Sequence, residues 1–240
     1  MKKIFFAIAF MLFVVTAHAK TLIVYYSYTN NVERIVDELR TQIEADVIEV
    51  EPAEKGLNYA ANNYAIGSSQ IAAIRENPND ASSYPAIDPV SVNLSQYSII
   101  IIGAPLWWSN MAAPLQTFLF QYGKEMVGKN IGLIVSSASS GISGVESDAK
   151  RLIPDGNFLT PSLWIRSSQT SNAKSLLQNW LQAIDYSSLT SGIGNVSPEQ
   201  DSRFTVYSLS GVRLLANAES TTALPNGLYI INGKKTLITK

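Results

Sequence analysis

Apolar runs and amphipathic segments alternate from residue 21 onward. Residues 21–26 (TLIVYY) form a continuous apolar and β-branched run, which is typical of a strand buried on both faces of a parallel sheet. After polar residues 27–31, apolar side chains recur with the spacing of a helix that buries one face, at Val32, Ile35, Val36, Leu39 and Ile43. Residues 46–51 (DVIEVE) alternate and indicate a second strand. The sequence therefore predicts a β-α-β beginning.

The same alternation continues to residue 184 and predicts the fold class. Residues 98–103 (SIIIIG) are the most apolar run and are expected to form a central strand. Further strands are predicted over 131–135 and 158–165, helices over 113–122 and near 145–152, and a closing helix whose apolar face is Leu176, Leu177, Trp180, Leu181 and Ile184. Five strands alternating with helices predict a doubly wound α/β sheet, with right-handed crossovers that place helices on both faces.

A long polar segment interrupts this pattern between the second and third strands. Residues 52–95 are rich in Asn, Ser and Pro, and only residues 59–74 look helical. Connections of this length without regular structure are uncommon in compact domains and are usually functional. We therefore expect this segment to pass over one end of the sheet.

The last 40 residues differ in character from the main domain, which we place at residues 20–186. Residues 187–200 are rich in Ser, Thr, Gly and Asn and indicate a linker. Residues 201–240 carry strand-like runs at 204–209, 212–215, 228–231 and 236–239, separated by turn sequences that include Asn232-Gly233. The sequence predicts a small all-β module of about four strands.

The first nineteen residues have the three parts of a secretory signal peptide. Lys2 and Lys3 precede an apolar run over residues 4–15, and Ala17-His18-Ala19 forms an A-x-A cleavage site. The alternative is a membrane anchor, but a transmembrane helix needs about 20 apolar residues. We therefore predict cleavage after Ala19, no transmembrane segment, and an exported chain that is periplasmic, attached to the cell surface or secreted.

Composition excludes several kinds of chemistry. The chain has no cysteine, and its one histidine, His18, lies in the predicted signal peptide. A thiol nucleophile, a Cys/His metal site and a Ser-His-Asp triad are thereby excluded from the mature chain. The formal net charge is −1, and −3 without Lys2 and Lys3, which gives no basis for nucleic-acid binding. We predict no catalytic side chains and no metal ligands, so any redox chemistry requires a bound organic cofactor.

Three predicted loops follow carboxyl ends of strands, where ligands bind to open parallel sheets. Residues 27–32 (SYTNNV) could hold a phosphate at the start of a helix, or could merely cap that helix. Residues 103–109 (GAPLWWS) could stack on a flat aromatic ligand through a tryptophan, or both tryptophans could pack under the 52–95 segment. Residues 136–141 (SSASSG) could hydrogen-bond the edge of a polar ring, or could simply be solvated.

Taken together, these loops resemble those of the flavodoxin family. Ser27, Thr29 and Asn31 match a phosphate loop of the form S/T-x-S/T-G-x-T, with Asn30 at the glycine and Val32 at the final threonine. Residues 103–108 are similar to a G-x-P-[IL]-W-W segment, and Ser139-Ser140-Gly141, with Gly144 and the sequence Leu152-Ile153-Pro154, to the third loop and its helix. The resemblance covers about residues 20–186. It implies a five-stranded sheet in the order 2-1-3-4-5.

The resemblance also implies FMN as the cofactor, with its phosphate at residues 27–32 and its ring between the Trp107 and Ser139 loops. The implied FMN-binding residues are Ser27, Tyr28, Thr29, Asn30, Asn31, Val32, Pro105, Leu106, Trp107, Trp108, Ser137, Ser139, Ser140 and Gly141. Asn30 is expected to keep the left-handed turn, because asparagine tolerates these backbone angles. Val32 lacks a hydroxyl that would donate to the phosphate.

The C-terminal module resembles the sorting domains of type-nine secretion substrates. Residues 207–211 (YSLSG) match a Y-x-L-x-G motif, residues 227–231 (GLYII) match G-x-Y-I-V, and a basic strand ending in Lys240 follows. The resemblance implies an address read by an outer-membrane export machine. The alternative is a plain β-hairpin module.

Two functions remain open at the level of the sequence. The first is a flavoprotein that carries electrons or reduces a small acceptor such as a quinone, with Trp107 or Trp108 against the ring and Ser137, Ser139 and Ser140 at its edge. Its redox partner is not identified by the sequence. The second is an exported, non-catalytic binding module with a degenerate FMN site, which Asn30 and Val32 favour.

Overall fold

A seven-stranded sheet organises the first part of the chain. The structure is a computed structural model that describes residues 19–191, 204–218, 220–221, 223–231 and 234–238. The chain divides into two compact units, residues 1–194 and 195–240. The predicted signal peptide, apart from Ala19, and residues 192–200 of the predicted linker lie outside the described residues.

The elements of the first unit alternate between strand and helix. In chain order they are β1 Lys20–Tyr25, α1 Asn31–Arg40, β2 Asp46–Glu49, α2 Ala61–Glu76, β3 Tyr97–Trp107, β4 Asn110–Met111, α3 Ala113–Tyr122, β5 Asn130–Ser137, α4 Ser143–Leu152, β6 Asn157–Phe158, β7 Leu163–Arg166, α5 Ala173–Ala183 and α6 Tyr186–Thr190. Short 3₁₀ turns lie at Ala81–Ser83, Leu94–Gln96, Gly123–Met126 and Ser167–Asn172.

The sheet has the predicted topology. Its parallel strands run in the order β2-β1-β3-β5, with β6 and β7 both pairing with β5, while β4 folds back antiparallel on β3. Counted as five parallel positions along the chain, this is the order 2-1-3-4-5. The predicted doubly wound α/β fold is confirmed.

The isoleucine run of β3 shows why this strand is central. Ile99 and Ile101 pack into the core beneath α1 and α5, whereas Ile100 and Ile102 pack into the core on the opposite face, with α3 and α4. All four side chains are fully buried. Because alternate residues of a strand point to opposite faces, a strand covered on both sides must be apolar at every position.

The predicted fifth strand, residues 158–165, is wrong as a single element. The structure has two short strands, Asn157–Phe158 and Leu163–Arg166, separated by residues that include Pro161. Proline has no backbone N–H to donate to a ladder, which favours a break in pairing at this position. Both pieces still pair parallel with β5, so the sheet order is unaffected.

The beginning of the predicted linker is helical. Residues 187–190 belong to α6, and its Tyr186 and Leu189 pack against the apolar core beneath α1 and α5. The Tyr186 hydroxyl also lies 2.8 Å from Thr21 Oγ1. These tertiary contacts stabilise a helix where the local composition favours a loop.

The second unit is a four-stranded antiparallel sheet. Its strands are β8 Phe204–Tyr207, β9 Arg213–Ala218, β10 Gly227–Ile231 and β11 Lys234–Ile238, in the order β11-β10-β8-β9. Val206, Leu224 and Tyr229 form its buried core. The predicted all-β module of about four strands is confirmed as a fold. Among the described residues of the chain, no helix combines the length and the apolar character that crossing a membrane requires.

Candidate functional site

A cavity of about 400 Å³ opens at the carboxyl ends of β1, β3 and β5. This volume lies in the range of small-molecule and cofactor pockets. The lining residues are Ser27, Tyr28, Thr29, Asn31, Val32, Tyr59, Tyr64, Gly67, Pro105, Leu106, Trp107, Trp108, Ser136, Ser137, Ala138 and Ser167. We call it the aromatic cavity, since five of these side chains are Tyr or Trp.

The loop after β1 leads directly into the first turn of α1. Asn30, the residue before the helix, has φ 59° and ψ 8°, so asparagine does keep the left-handed turn expected of it. Its side chain makes no capping hydrogen bond. The Ser27 hydroxyl accepts instead from the Glu33 backbone N–H, at 3.3 Å. The earliest N–H groups of a helix have no partner within it and favour an anion.

Val32 borders both the aromatic cavity and the hydrophobic core. It lines the aromatic cavity, but it is also 2% exposed and packs in the core with Ile35 and Val36. A Cβ built on Gly103 would lie 3.0 Å from Val32 Cγ1, so β3 approaches this side chain closely. Position 32 therefore contributes apolar packing to the loop and offers no side-chain hydrogen bond.

The tryptophan loop is a hairpin. Residues 104–107, predicted as loop, continue β3: Ala104 and Pro105 pair with β5, and Trp107 pairs with Asn110 of β4. The turn consists of Trp108 and Ser109, with φ values of 45° and 65°. Positive φ at a bulky residue such as Trp108 is strained, and such strain is concentrated at binding and active sites.

Two helices hold this strained turn in place. From α2, Arg75 Nη2 donates to the Trp108 carbonyl oxygen at 2.5 Å, and Arg75 Nε donates to Asn110 Oδ1 at 2.8 Å. From α4, Asp148 Oδ2 accepts from Asn110 Nδ2 and from the Met111 backbone N–H, both at 2.9 Å. Contacts from both sides therefore define the position of the tryptophans.

The 52–95 segment supplies one wall of the cavity. The Tyr59 ring packs against Trp107 at 4.8 Å between centroids and edge-on against Tyr28 at 5.4 Å. Gly67 on α2 lies under both tryptophans, because a Cβ there would come within 3.1 Å of Trp108 and 3.3 Å of Trp107. The alternative that both tryptophans pack under this segment is thus correct in part, while Trp108 remains 42% exposed.

Tyr59 of this wall, and Tyr26, which packs edge-on against Trp107, are neutral at physiological pH. Burial raises the pKa of Tyr59, and burial together with nearby tyrosines and carboxylates raises the pKa of Tyr26. The side chains of Tyr26 and Tyr59 are 4% and 3% exposed. This side of the cavity therefore presents aromatic faces rather than charge.

Hydrogen bonds within the protein brace the serine loop. The Ser137 hydroxyl accepts from Trp164 Nε1 at 2.8 Å and donates to the Ser140 carbonyl oxygen at 2.9 Å, so it braces the loop. Ser136, Ser137 and Ala138 line the cavity, whereas the predicted residues Ser139, Ser140 and Gly141 do not. Asn30, the remaining predicted residue outside the lining, shapes the backbone of its loop. Cofactor binding by all fourteen predicted residues stays a prediction.

Sequence reasoning missed several lining residues. Tyr59, Tyr64 and Gly67 come from the polar segment, and Ser136, Ala138 and Ser167 complete the floor. Tyr64 ends three consecutive residues with positive φ and is 52% exposed at the cavity. Two tyrosines and a glycine within the predicted helix of residues 59–74 were the available signal, but nothing local connected them to Trp107.

Comparison with known proteins identifies the family to which this chain belongs. A family model described as "Flavodoxin" matches residues 20–184 of this chain. The chain belongs to the flavodoxin family. The match spans the first unit up to the end of α5, so family membership concerns the α/β domain and not the C-terminal sheet.

Solved structures support the same fold. A protein of Bacteroides eggerthii classed as a flavoprotein is 24% identical, with a TM-score of 0.56, over 70% of this chain and 98% of its own. A similarly classed protein of Bacteroides uniformis is 23% identical, with a TM-score of 0.53, over 67% and 99%. A flavoprotein of Lactobacillus acidophilus in complex with FMN is 24% identical, with a TM-score of 0.50, over 65% and 99%.

Within this flavodoxin fold, the three predicted loops do meet. Ten of the fourteen predicted residues line one cavity: Ser27, Tyr28, Thr29, Asn31, Val32, Pro105, Leu106, Trp107, Trp108 and Ser137. They converge because the carboxyl ends of adjacent parallel strands lie at the same edge of the sheet.

Proposed function

We propose that this chain is an exported flavoprotein that binds FMN in the aromatic cavity and transfers electrons or reduces a small acceptor such as a quinone. The observation that carries the proposal is the convergence of the N-terminus of α1, where Asn30 makes no side-chain cap, with two tryptophans on one cavity of about 400 Å³. The helix N-terminus suits a phosphate, and the tryptophans suit a flat aromatic ring. FMN contains both groups.

The chain's own residues bind and orient rather than react. Backbone N–H groups at the start of α1, with Ser27 and Thr29, would hold the phosphate, and Trp107 and Trp108 would flank the ring. A bound flavin would supply the electron transfer itself. Apolar contact from the tryptophans and the neutral wall tyrosines would disfavour negative charge on the ring, which is how a protein adjusts such a cofactor.

The acceptor is inferred from the mouth of the cavity. Trp108 and Tyr64 both line it and are 42% and 52% exposed. Exposed aromatic faces at the entrance favour a flat, apolar acceptor. A quinone has this character.

Export is inferred from the two ends of the chain. The signal peptide of residues 1–19 and the sequence motifs of the β8–β11 sheet support passage out of the cytoplasm and recognition by an outer-membrane export machine. The intact mass of the protein recovered from the producing cells tests the first step. A mass that corresponds to a chain beginning at Lys20 supports export, and a retained Met1 contradicts it.

Titration of FMN with the purified protein tests the cofactor. We expect saturable quenching of flavin fluorescence at micromolar protein. Replacement of the exposed Trp108 by alanine should weaken binding at least about fivefold, because aromatic stacking on a base is worth roughly 1–3 kcal/mol. Val127→Ala is the control, since Val127 is also an exposed apolar side chain, at 50%, and does not line the cavity. If the protein neither quenches flavin fluorescence nor is yellow when purified, the flavin proposal is wrong.

A second variant tests the phosphate loop. Asn30→Gly combined with Val32→Thr restores the family pattern, and we expect FMN to bind about tenfold more tightly, since a hydrogen bond to a charged group contributes roughly 1.5–3 kcal/mol. Val36→Thr is the control: it makes the same change one turn later, on a side chain that does not line the cavity. If the double variant has unchanged affinity, the loop does not hold the phosphate.

The alternative is a non-catalytic binding module, and Val32 is the observation that favours it. An apolar, buried side chain stands where the family pattern has a hydroxyl. On this alternative the tryptophans bind another flat ligand, such as a sugar ring, and the chain stays colourless in FMN.

A further inference from the structure

A second, smaller cavity adjoins the aromatic cavity at the ends of β1 and β2. Its volume is about 190 Å³, and it shares Ser27, Tyr28 and Tyr59 with its larger neighbour. The residues that give it chemical character are Tyr26, Tyr28, Tyr59, Glu49, Glu51 and Glu54. We call it the acidic cavity. It is smaller than the pockets that hold drug-sized ligands, so it suits a small one.

The charges around the acidic cavity do not balance. Lys55 is its one cationic lining residue, and its Nζ is already held by Glu51 Oε2 at 2.5 Å and by Asp88 Oδ2 at 2.6 Å. Glu49 accepts only from the Tyr25 hydroxyl, at 3.0 Å, and Glu54 has no ion pair among the described residues. A cation entering this cavity would meet two carboxylates, Glu49 and Glu54, that have no ion-pair partner among the described residues.

The pKa of the Glu49 carboxyl is affected by this excess of negative charge. Partial burial raises the pKa of Glu49 above its ordinary value, and the charges of Glu33, Glu51 and Asp37 raise it further, against the lowering effect of the hydrogen bond from Tyr25. Repulsion of this kind is relieved by a bound cation.

Tyr26 provides a second observation that is independent of the carboxylates. Its side chain is 4% exposed, and its hydroxyl has no hydrogen-bond partner among the described residues, yet the hydroxyl is not sealed from solvent. Glu49 and Glu51 are among the groups whose charge acts on this hydroxyl. Buried polar groups in folded proteins are normally hydrogen-bonded. No described group of the protein satisfies the Tyr26 hydroxyl, so this hydroxyl is available to a ligand that enters the cavity.

The arrangement distinguishes between kinds of cation. No group of three acidic side chains in the described part of the chain is gathered closely enough to hold a metal ion. Carboxylates spread around tyrosine rings suit a bulky cation of low charge density instead, because the faces of aromatic rings attract ammonium groups. Tyr28 lines this cavity with a partly exposed ring, and the buried Tyr59 ring meets it edge-on.

We propose that the acidic cavity binds a small organic ammonium ion, held by Glu49, Glu51 and Glu54, by the ring of Tyr28 and by the Tyr26 hydroxyl. This site adjoins the proposed flavin site and shares Ser27, Tyr28 and Tyr59 with it, but the proposal does not depend on flavin binding. Electrostatic attraction from several carboxylates would bring the ammonium group in, and cation–π contact would select it over a hydrated inorganic ion.

Calorimetric titration of the full chain with choline tests the proposal. We expect saturable binding in the millimolar range and about fivefold weaker binding for Glu54→Gln, which removes one charge at close range without breaking an ion pair. Tyr26→Phe should weaken binding as well. Glu125→Gln is the matched control, because Glu125 does not line this cavity and its replacement should leave the affinity unchanged.

The uncharged isostere 3,3-dimethylbutan-1-ol separates charge recognition from apolar contact. It has the shape of choline with carbon in place of the charged nitrogen, so we expect no saturable binding. Equal binding of the two compounds, equal affinity of Glu54→Gln and wild type, or displacement of choline by an equal concentration of calcium would each overturn the proposal. None of these outcomes bears on FMN binding, which the flavin titration measures by itself.

Discussion

Replacement of Gly144 by alanine is expected to destabilise the α/β domain by about 3 kcal/mol, at the upper end of the usual cost of overpacking. A Cβ at position 144 would lie 1.7 Å from the Ser109 backbone oxygen and 2.9 Å from the carbonyl carbon. Because backbone atoms cannot rotate away as a side chain can, either the start of α4 or the Trp108–Ser109 turn must move. Urea unfolding followed by tryptophan fluorescence measures the loss.

Gly141→Ala is the matched control for this variant. Gly141 lies three residues earlier, its φ is not in the left-handed range, and a Cβ there would meet nothing within 4 Å. We expect its stability to stay within about 0.5 kcal/mol of wild type, as for other surface changes. If Gly144→Ala is equally stable, the close approach of α4 to the tryptophan turn is not as the structure has it.

The same variant connects stability with the proposed function. Gly144 contacts the strained turn that carries Trp108, and this ring lines the aromatic cavity. In the fraction of Gly144→Ala molecules that remain folded, FMN should bind more weakly, because the turn can no longer take the same position.

The parts of the fold that could be predicted from sequence are those fixed by local pattern. The isoleucine run of β3 and the run at 131–135 required burial on both faces, and a parallel sheet between two layers of helices provides it. The amphipathic stripe from Val32 to Leu39 required one apolar face, and α1 buries it. In these segments propensity, periodicity and packing agree.

Elements whose form depends on distant contacts could not be predicted in this way. The apolar pattern of residues 158–165 is compatible with one strand, and the break at Pro161 becomes clear only from the pairing with β5. Residues 187–190 have the composition of a loop and are helical because Tyr186 and Leu189 reach the core. The local sequence pattern indicates neither the continued pairing of both short strands with β5 nor the helix at residues 187–190.

The candidate site also has some features that the sequence predicts and others that depend on distant contacts. Topology alone brings the three strand-end loops together, so most of their residues line the cavity as predicted. The roles of individual side chains depended on partners far along the chain. Ser137 is occupied by Trp164, and Gly67 is small because two tryptophans lie on it. A motif search finds neither relationship.

Replacement of Asp148 by alanine is the second large effect that we expect, a loss of about 3 kcal/mol. Asp148 is 7% exposed, accepts two hydrogen bonds at 2.9 Å from the hairpin, and forms an ion pair with Arg151 at 3.2 Å. Its removal leaves the fully buried Met111 backbone N–H without an acceptor. Loss of one partner from a buried network costs several kcal/mol, because the remaining polar groups stay desolvated.

Asp37→Ala is a closely matched control. Asp37 and Arg40 form the same i,i+3 pair on α1, at 3.7 Å, but their side chains are 64% and 56% exposed. Exposed pairs of this kind contribute roughly 0.5 kcal/mol or less. A large difference between the two variants in urea unfolding would attribute the stability to burial and hairpin contacts rather than to the ion pair as such. Equal losses would contradict this attribution.

Asp148→Asn separates charge from geometry. Asparagine retains one acceptor oxygen for the hairpin but loses the charge that pairs with Arg151, so we expect stability between those of Asp148→Ala and wild type. Its FMN affinity should stay near that of wild type if the hairpin is what matters for the aromatic cavity. If Asp148→Asn instead binds FMN as weakly as Asp148→Ala while its stability recovers, the charge of Asp148 acts on the site directly and the hairpin is not the intermediary.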